Sequence, residues 1–305
     1  MYCRWHASAQ QRLAGMEQFA KYAISSRMCF NKQKENEMAR DLFDVAGKVV
    51  VITGGLGQLG RQYAYAFATR GARVAIFDSR AEDALLPSAL QDYQVMLVPV
   101  DVTRRSSIAD GLEQVERRWS VPHVLINNAA LDSPPNAPAE ENGPFESYPE
   151  SSWDRVLEVN VKGVFLCCQV IGGRMAAAKR GSIINICSIY GLVSPDQRIY
   201  AYRARSGTPF FKPVAYSASK SALLNLTRYL ATYWAKQGVR VNTLTLGGVF
   251  NHQDQEFLDG YCTRVPLGRM AREDEYNGAV IFLASDASSY MTGSNLVIDG
   301  GWTAW

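Results

Sequence analysis

Asp44-Val-Ala-Gly-Lys-Val-Val-Val-Ile-Thr53 runs without a break into Gly54-Gly55-Leu56-Gly57-Gln58-Leu59-Gly60. The first half is a short β-branched run after a glycine and reads as a buried strand. The second half packs glycines at 54, 55, 57 and 60, and the pattern that follows, 61–70, reads as a helix stopped at Gly71. Strand, glycine turn and helix open a βαβ unit, and the rest of the chain repeats the alternation. Further strands are expected at 72–77, 95–100, 123–127, 181–188, 239–246 and 295–299. Helices are expected at 106–119, 152–179, from Tyr216 onward and at 273–285, with a mobile-looking segment before the last of them. This order predicts an α/β, Rossmann-type doubly wound fold: a mostly parallel seven-stranded sheet with helices on both faces, in three α/β/α layers.

Composition narrows the class. The chain has 305 residues, 47% hydrophobic and 20% charged, ordinary for a globular protein. Its net charge of +3 is local, because residues 1–37 hold six basic against three acidic side chains and the remainder is neutral. A neutral body argues against a nucleic-acid or membrane-surface role. The longest apolar stretch, 159–171, is interrupted by Asn160, Lys162 and Gln169, so no membrane span is expected. The six cysteines form no C-x-x-C pair; Cys167, Cys168 and Cys187 lie in apolar runs and read as buried thiols. With His6, His123 and His252 isolated from one another, no metal site is expected, and the thiols suit a reducing, cytoplasmic setting. Residues 1–40 read as a disordered or non-native N-terminal extension, lacking the apolar core of a secretory signal. Residues 41–305, free of repeats or composition breaks, read as one domain.

Three features carry chemistry. Gly55-x-Gly57-x-x-Gly60, placed between strand and helix, fits the dinucleotide fingerprint, in which backbone approaches a pyrophosphate at a helix N-terminus. Asp78 ends the second strand eighteen residues past Gly60. A carboxylate there accepts from a ribose 2′-hydroxyl and repels a 2′-phosphate, favouring NAD over NADP, although Arg80 nearby could accommodate the phosphate. Tyr216-Ser-Ala-Ser-Lys220 heads an apolar-periodic helix, so Tyr216 and Lys220, four apart, share one face. An ammonium close to a phenol favours the phenolate, and the tyrosine could then exchange a proton near neutral pH. Many helices carry that spacing with no chemistry. Ser188, at a strand end, is either a turn former or a hydroxyl at the ligand-binding edge of the sheet. Asn160, polar within an apolar helix, is either locally bonded or part of a polar relay.

Together these motifs resemble the short-chain dehydrogenase/reductase family over residues 49–301. The likeness rests on the Thr53–Gly60 turn, Asp101-Val102, Asn127-Asn128-Ala129-Ala130, Asn160, Ser188, Tyr216-x-x-x-Lys220 and Val297-Ile-Asp-Gly-Gly301, in the family's order. It implies a catalytic tetrad of Asn160, Ser188, Tyr216 and Lys220, with Asn160 anchoring a water that links Lys220 to solvent. It also implies cofactor contacts at Gly54, Gly55, Gly57, Gln58, Leu59, Gly60, Asp78, Asp101, Val102, Asn128, Ala129, Ala130, Tyr216, Lys220, Gly247 and Val249. A homotetramer or homodimer built on helices 152–179 and 216–237 is implied too. The sequence departs from the family's pattern at Gln58, where glycine is usual, at Leu246-Gly247 in place of Pro-Gly, and at Asn251 in place of threonine. Ser188 and Tyr216 are 28 residues apart, about twice the usual gap.

That long gap is the best clue to substrate. Residues 195–213 carry Arg198, Arg203, Arg205 and Lys212 among Tyr200, Tyr202, Phe210 and Phe211. They are expected to wall the substrate pocket, with the three arginines as candidate contacts for a phosphate or carboxylate and the aromatics for a sugar face; the alternative is a solvated contact loop. The insertion and the ending Asp299-Gly-Gly-Trp-Thr-Ala-Trp305 are similar to oxidoreductases of flagellin-glycosylation and nonulosonic-acid pathways. The expected function is NAD(H)-dependent hydride transfer at an alcohol or ketone carbon of a sugar or sugar phosphate. Alternatives are a 3-oxoacyl-(acyl-carrier) reductase and a non-catalytic NAD-binding sensor.

Overall fold

The β-branched run closes as β1, Val49–Thr53, with all five residues buried. Its side chains alternate between two cores, as a pleated strand requires. Val50 and Ile52 face one side, where Tyr63, Phe67, Val280 and Leu283 cover them. Val49 and Val51 face the other, against Ile108, Ile171, Leu223 and Trp234. A strand buried on both faces is what a parallel sheet covered by helices produces.

The computed structural model describes residues 41–132, 139–205, 207 and 210–305; the extension expected at 1–40 lies outside them. Phe43–Trp305 form one compact unit. After β1 come α1 (Gln58–Ala68), β2 (Arg73–Asp78), β3 (Val95–Pro99), α2 (Arg105–Arg118) and β4 (Val124–Asn127). A long helix, α3 (Glu150–Ala177), leads to β5 (Gly181–Ser188), a short α4 (Tyr202–Arg205) and α5 (Val214–Trp234). The chain ends through β6 (Val239–Leu246), α6 (Gln255–Cys262), α7 (Asn277–Ala284) and β7 (Asn295–Ile298). The strands lie in the order 3-2-1-4-5-6-7. Every neighbouring pair is parallel, with Val50 opposite Val74 on one side and Val124 on the other. The order reverses between β1 and β4, which opens a crevice at the carboxyl ends of the strands.

Two helices depart from expectation. The segment that looked mobile holds α6, capped by Asp254, whose carboxylate accepts from the Phe257 amide at 2.9 Å. Helix α3 is interrupted by two π-helical stretches, Glu158–Gly163 and Cys168–Gly172. By length and composition α3 could cross a membrane, but its apolar residues Val164, Leu166, Cys167 and Ile171 are buried in the second core.

Candidate active site

The crevice is built by lacing the end of β1 to the end of β4. Thr53 Oγ1 accepts from the amides of Asn128 and Ala129 at 3.0 and 3.1 Å. The Asn128 side-chain amide donates to the carbonyls of Thr53 and Gly54, both at 3.1 Å. The turn between β1 and α1 is too tight for side chains. A Cβ on Gly54, which has φ +62°, would stand 2.7 Å from Ala129 Cα, and one on Gly60 would stand 2.5 Å from the Gly54 carbonyl oxygen. Gly57 begins α1 with no side-chain cap, and the first turn of α1 holds no acid. The orphan amides there make an anion site by geometry.

A cleft of about 700 Å³ lies over this turn, lined by Gly54, Gly57, Gln58, Leu59, Asp78, Asp101, Val102, Asn128, Ala129 and Ala130. Its size, its uncapped helix end and the acid at its far end fit a dinucleotide. Gly55 and Gly60 are not among the lining residues. They pack inside the turn, where a Cβ on Gly55 would meet Ile76 at 2.7 Å. Asp78 is only 5% exposed. Burial works to raise its pKa, but hydrogen bonds from Arg80 and from the Leu56 amide outweigh it and hold the carboxyl below its ordinary value. Arg80 lies 3.1 Å from Asp78 while remaining mostly exposed. Asp101 is likewise held low against burial, by Thr103 and Arg104.

A second lobe of about 350 Å³ adjoins the first, sharing Gln58, Leu59, Asn128, Ala130 and Asp132. Ser188, Tyr216, Lys220, Gly247 and Val249 line it. The Tyr216 and Ser188 side chains share this lobe, where Ser188 acts to lower the Tyr216 pKa, and the Ser188 hydroxyl accepts from the Tyr190 amide at 3.2 Å. Lys220 is 4% exposed and donates to the Ile186 carbonyl at 2.9 Å. Its ammonium stands 5.8 Å from the Tyr216 ring centroid.

The pKa of Tyr216 departs from expectation. Burial, reinforced by the charge of Asp132, pushes the Tyr216 pKa up, and Ser188 offsets only part of this. Lys220, its own pKa lowered by burial, does not reverse the shift. The phenol is therefore held protonated. Asn160 is buried, but its side chain faces no cleft. Its Oδ1 accepts from the Leu131 amide at 2.7 Å, and its Nδ2 donates to the Leu131 carbonyl at 2.9 Å and to Ser219 Oγ at 3.0 Å. Ser219 in turn donates to the Tyr216 carbonyl at 2.7 Å. These bonds fix α5 against the segment that follows β4. Asn160 lies within the first π-helical stretch, where carbonyls are re-aimed relative to an α-helix.

The insertion divides its cations. Arg198 is held by Asp196 at 2.9 Å and Arg205 by Glu256 at 3.1 Å, both mostly exposed. Neither lines the site, because nearby carboxylates hold them at the surface. Arg203 lies over the Phe210 ring, 5.3 Å from its centroid, and lines only an outer lobe. Of the insertion's aromatics, Tyr200 lines the second lobe, and Tyr200, Tyr202 and Phe210 line the outer one. Tyr200 packs on Phe210 and Phe257 at centroid distances of 4.8 and 5.6 Å, in a small core with Ile199, Tyr261 and Trp302 that anchors the insertion. Lys212 alone among these cations turns inward, 2.5 Å from Asp132 and 4.8 Å from the Tyr216 ring centroid. Lys212, Asp132, Tyr190 and Gln253 line the site and were not distinguished by any motif. Asn251, noted as a departure, lines it too.

A family model described as enoyl-(acyl carrier protein) reductase matches residues 57–303. The chain is 34% identical over 269 residues to D-threitol dehydrogenase of Mycolicibacterium smegmatis, covering 86% of this chain and 95% of that one. This chain belongs to the short-chain dehydrogenase/reductase family. Among solved structures, a short chain dehydrogenase from Leptospira borgpetersenii with bound NAD+ superposes with a TM-score of 0.75 at 32% identity, covering 87% of this chain and 96% of that one. A gluconate 5-dehydrogenase from Burkholderia cenocepacia, in complex with NADP and tartrate, gives 0.76 at 29% identity, covering 87% and 98%. As a short-chain dehydrogenase/reductase, the chain is an NAD(P)-dependent oxidoreductase acting between alcohol and ketone.

Proposed function

We propose that this enzyme interconverts a secondary alcohol and a ketone on a polyhydroxylated, sugar-like substrate. The observation that carries the reading is the meeting of two lobes at one point. The dinucleotide-sized cleft opens into a lobe lined by both Tyr216 and Ser188. When bound, the nicotinamide cofactor gives or takes a hydride at the substrate carbon. In the reducing direction the carbonyl oxygen gains charge, which the Ser188 hydroxyl stabilises and the Tyr216 proton neutralises. A phenol held protonated is the acid this direction needs. Lys220 would hold the nicotinamide ribose and supply positive charge beneath the tyrosine. Gly54, Gly57, Leu59, Asp101, Val102 and Ala129 would frame the cofactor's adenosine and pyrophosphate.

NAD is the proposed cofactor. The Asp78 carboxylate stands at the end of β2, where a ribose 2′-phosphate would meet it, and it already engages Arg80. A homo-oligomer is also proposed: Tyr229 and Tyr233 stack at 6.0 Å on α5 with more than half of each side chain exposed. Light scattering that gave a monomer would remove that part.

The test is absorbance at the NADH band with a panel of polyols, keto sugars, sugar phosphates and acyl thioesters, the keto sugars including those of nonulosonic-acid type that the insertion resembles. Turnover of a polyol or keto sugar supports the reading. The family model's description makes an acyl thioester the second candidate, and turnover of that class alone would replace the first. NADH binding with no turnover of any class would favour a sensor.

A further inference from the structure

The insertion delivers one cation to the reacting centre, and that cation arrives already paired. Lys212 precedes α5 by two residues, and its side chain is 10% exposed. Its ammonium lies 2.5 Å from Asp132 Oδ1, beside the Tyr216 ring. Asp132 comes from the other side of the crevice, just past the end of β4, and its side chain is about half exposed. The pair therefore bridges the two walls of the substrate lobe. Both residues also line the outer lobe, so a substrate long enough to fill both must pass them.

We propose that the Asp132–Lys212 pair is the specificity-determining element of the substrate site, selecting an uncharged polyhydroxy substrate over one bearing a carboxylate or phosphate. The inference rests on the alcohol–ketone reading of the same site. A hydroxyl both donates and accepts, and so does the pair. The ammonium has three donors and the carboxylate about four acceptor positions. Vicinal hydroxyls can add to the pair without separating the charges. An anionic group can reach Lys212 only by displacing Asp132 or by lying beside its negative charge, which is unfavourable at short range in a partly desolvated cleft.

The rest of the lining does not restore an anion site. Among the described residues, the other charged side chains of the two lobes are Lys220, Arg203 and Asp254. Lys220 is buried under Tyr216 and committed to the Ile186 carbonyl. In the outer lobe Arg203 lies over the Phe210 ring, and Asp254 accepts from the Tyr202 hydroxyl and the Phe257 amide. The arginines that the insertion sequence offered for an anion, Arg198 and Arg205, are held outside by Asp196 and Glu256.

The experiment compares kcat/KM for D-threitol and galactitol with that for D-gluconate, in the wild type, Asp132→Asn and Lys212→Met. The wild type should prefer the neutral polyols. Asp132→Asn keeps the shape but releases the Lys212 charge, and should raise the gluconate-to-polyol ratio at least tenfold, chiefly through KM for gluconate. Lys212→Met should lose polyol activity through KM and gain none on gluconate. A wild type that prefers gluconate, or an Asp132→Asn ratio unchanged within twofold, would overturn the proposal. Calorimetric binding of tartrate and threitol to the NAD-loaded proteins separates this from the reaction itself. If no polyol turns over, a tenfold gain in tartrate affinity in Asp132→Asn still upholds the selection while the alcohol–ketone reading falls. No gain in tartrate affinity would overturn the selection even where polyols are turned over. Melting curves of both variants exclude misfolding as the cause.

Discussion

Replacing Lys220 by methionine separates chemistry from architecture, because the structural consequences oppose each other. Lys220 is 4% exposed, donates to the Ile186 carbonyl at 2.9 Å, and has its pKa lowered by burial. Lys220→Met removes that donor, which costs about 1–3 kcal/mol if the carbonyl finds no other partner. It also removes a cation held out of water, and an apolar chain of similar length in its place recovers about 1–4 kcal/mol. The net loss is therefore at most about 2 kcal/mol, or a fall in Tm of no more than roughly 4–8 °C for a domain of this size. Turnover should fall by about 10²–10⁴, the usual scale of a group that supports proton transfer. Differential scanning calorimetry beside initial rates on the best substrate reads both quantities. A Tm lowered by more than about 8 °C would mean that Lys220 is a structural prop. An unchanged kcat would remove it from the chemistry altogether.

Other consequences follow from the same geometry. Gly60→Ala would place a Cβ 2.5 Å from the Gly54 carbonyl oxygen and 2.6 Å from Gly55 Cα, both backbone atoms that can yield only by deforming the turn; NADH affinity, followed by fluorescence, should fall at least tenfold, with about 1–3 kcal/mol lost from stability. Asp78→Ala removes the acid that engages Arg80 and frees that guanidinium, so the NADP-to-NAD ratio of kcat/KM should rise at least tenfold. His123 accepts from the Val49 amide at 3.0 Å, and burial, with the charges of Arg180, Lys48 and Arg73, lowers its pKa to about 4. The unfolded chain takes up that proton near 6.5. Stability is therefore full above about pH 6.5 and falls toward pH 4, by about 1–2 kcal/mol for this half-exposed ring. Melting curves between those limits should show His123→Asn with the smaller pH dependence.

The sequence made the sheet legible because buried parallel strands are long apolar runs with sharp glycine or polar ends. Strands β5 and β6 start and stop where their runs do. Helix α1 begins at Gln58 and not at Arg61, since the glycine turn is already helical at its end. Helix α6 was hidden by its mixed face, although Asp254 before Glu256 and Phe257 is a capping signal that could have exposed it. The tetrad was legible as a pattern of residue types. What each member does was not, because that depends on partners distant in sequence. Leu131 and Ser219 hold the Asn160 side chain, and the burial around Tyr216 outweighs the nearby ammonium. For the same reason no spacing separates Lys212 from Arg198 and Arg205. Which cation turns inward is decided by the acids that the fold sets beside each: Asp132 across the crevice, Asp196 two residues before Arg198, and Glu256 on α6.

The most direct test of the central claim is Tyr216→Phe, measured for NADH affinity and for turnover of the best polyol or keto sugar. Tyr216 lines the lobe that adjoins the dinucleotide-sized cleft, and phenylalanine removes only its hydroxyl. NADH affinity within about threefold of wild type, with turnover reduced by about 10²–10⁴, is the predicted result. Turnover kept within a few-fold of wild type would contradict the assignment of Tyr216 as the proton donor, and with it the proposed site of reaction.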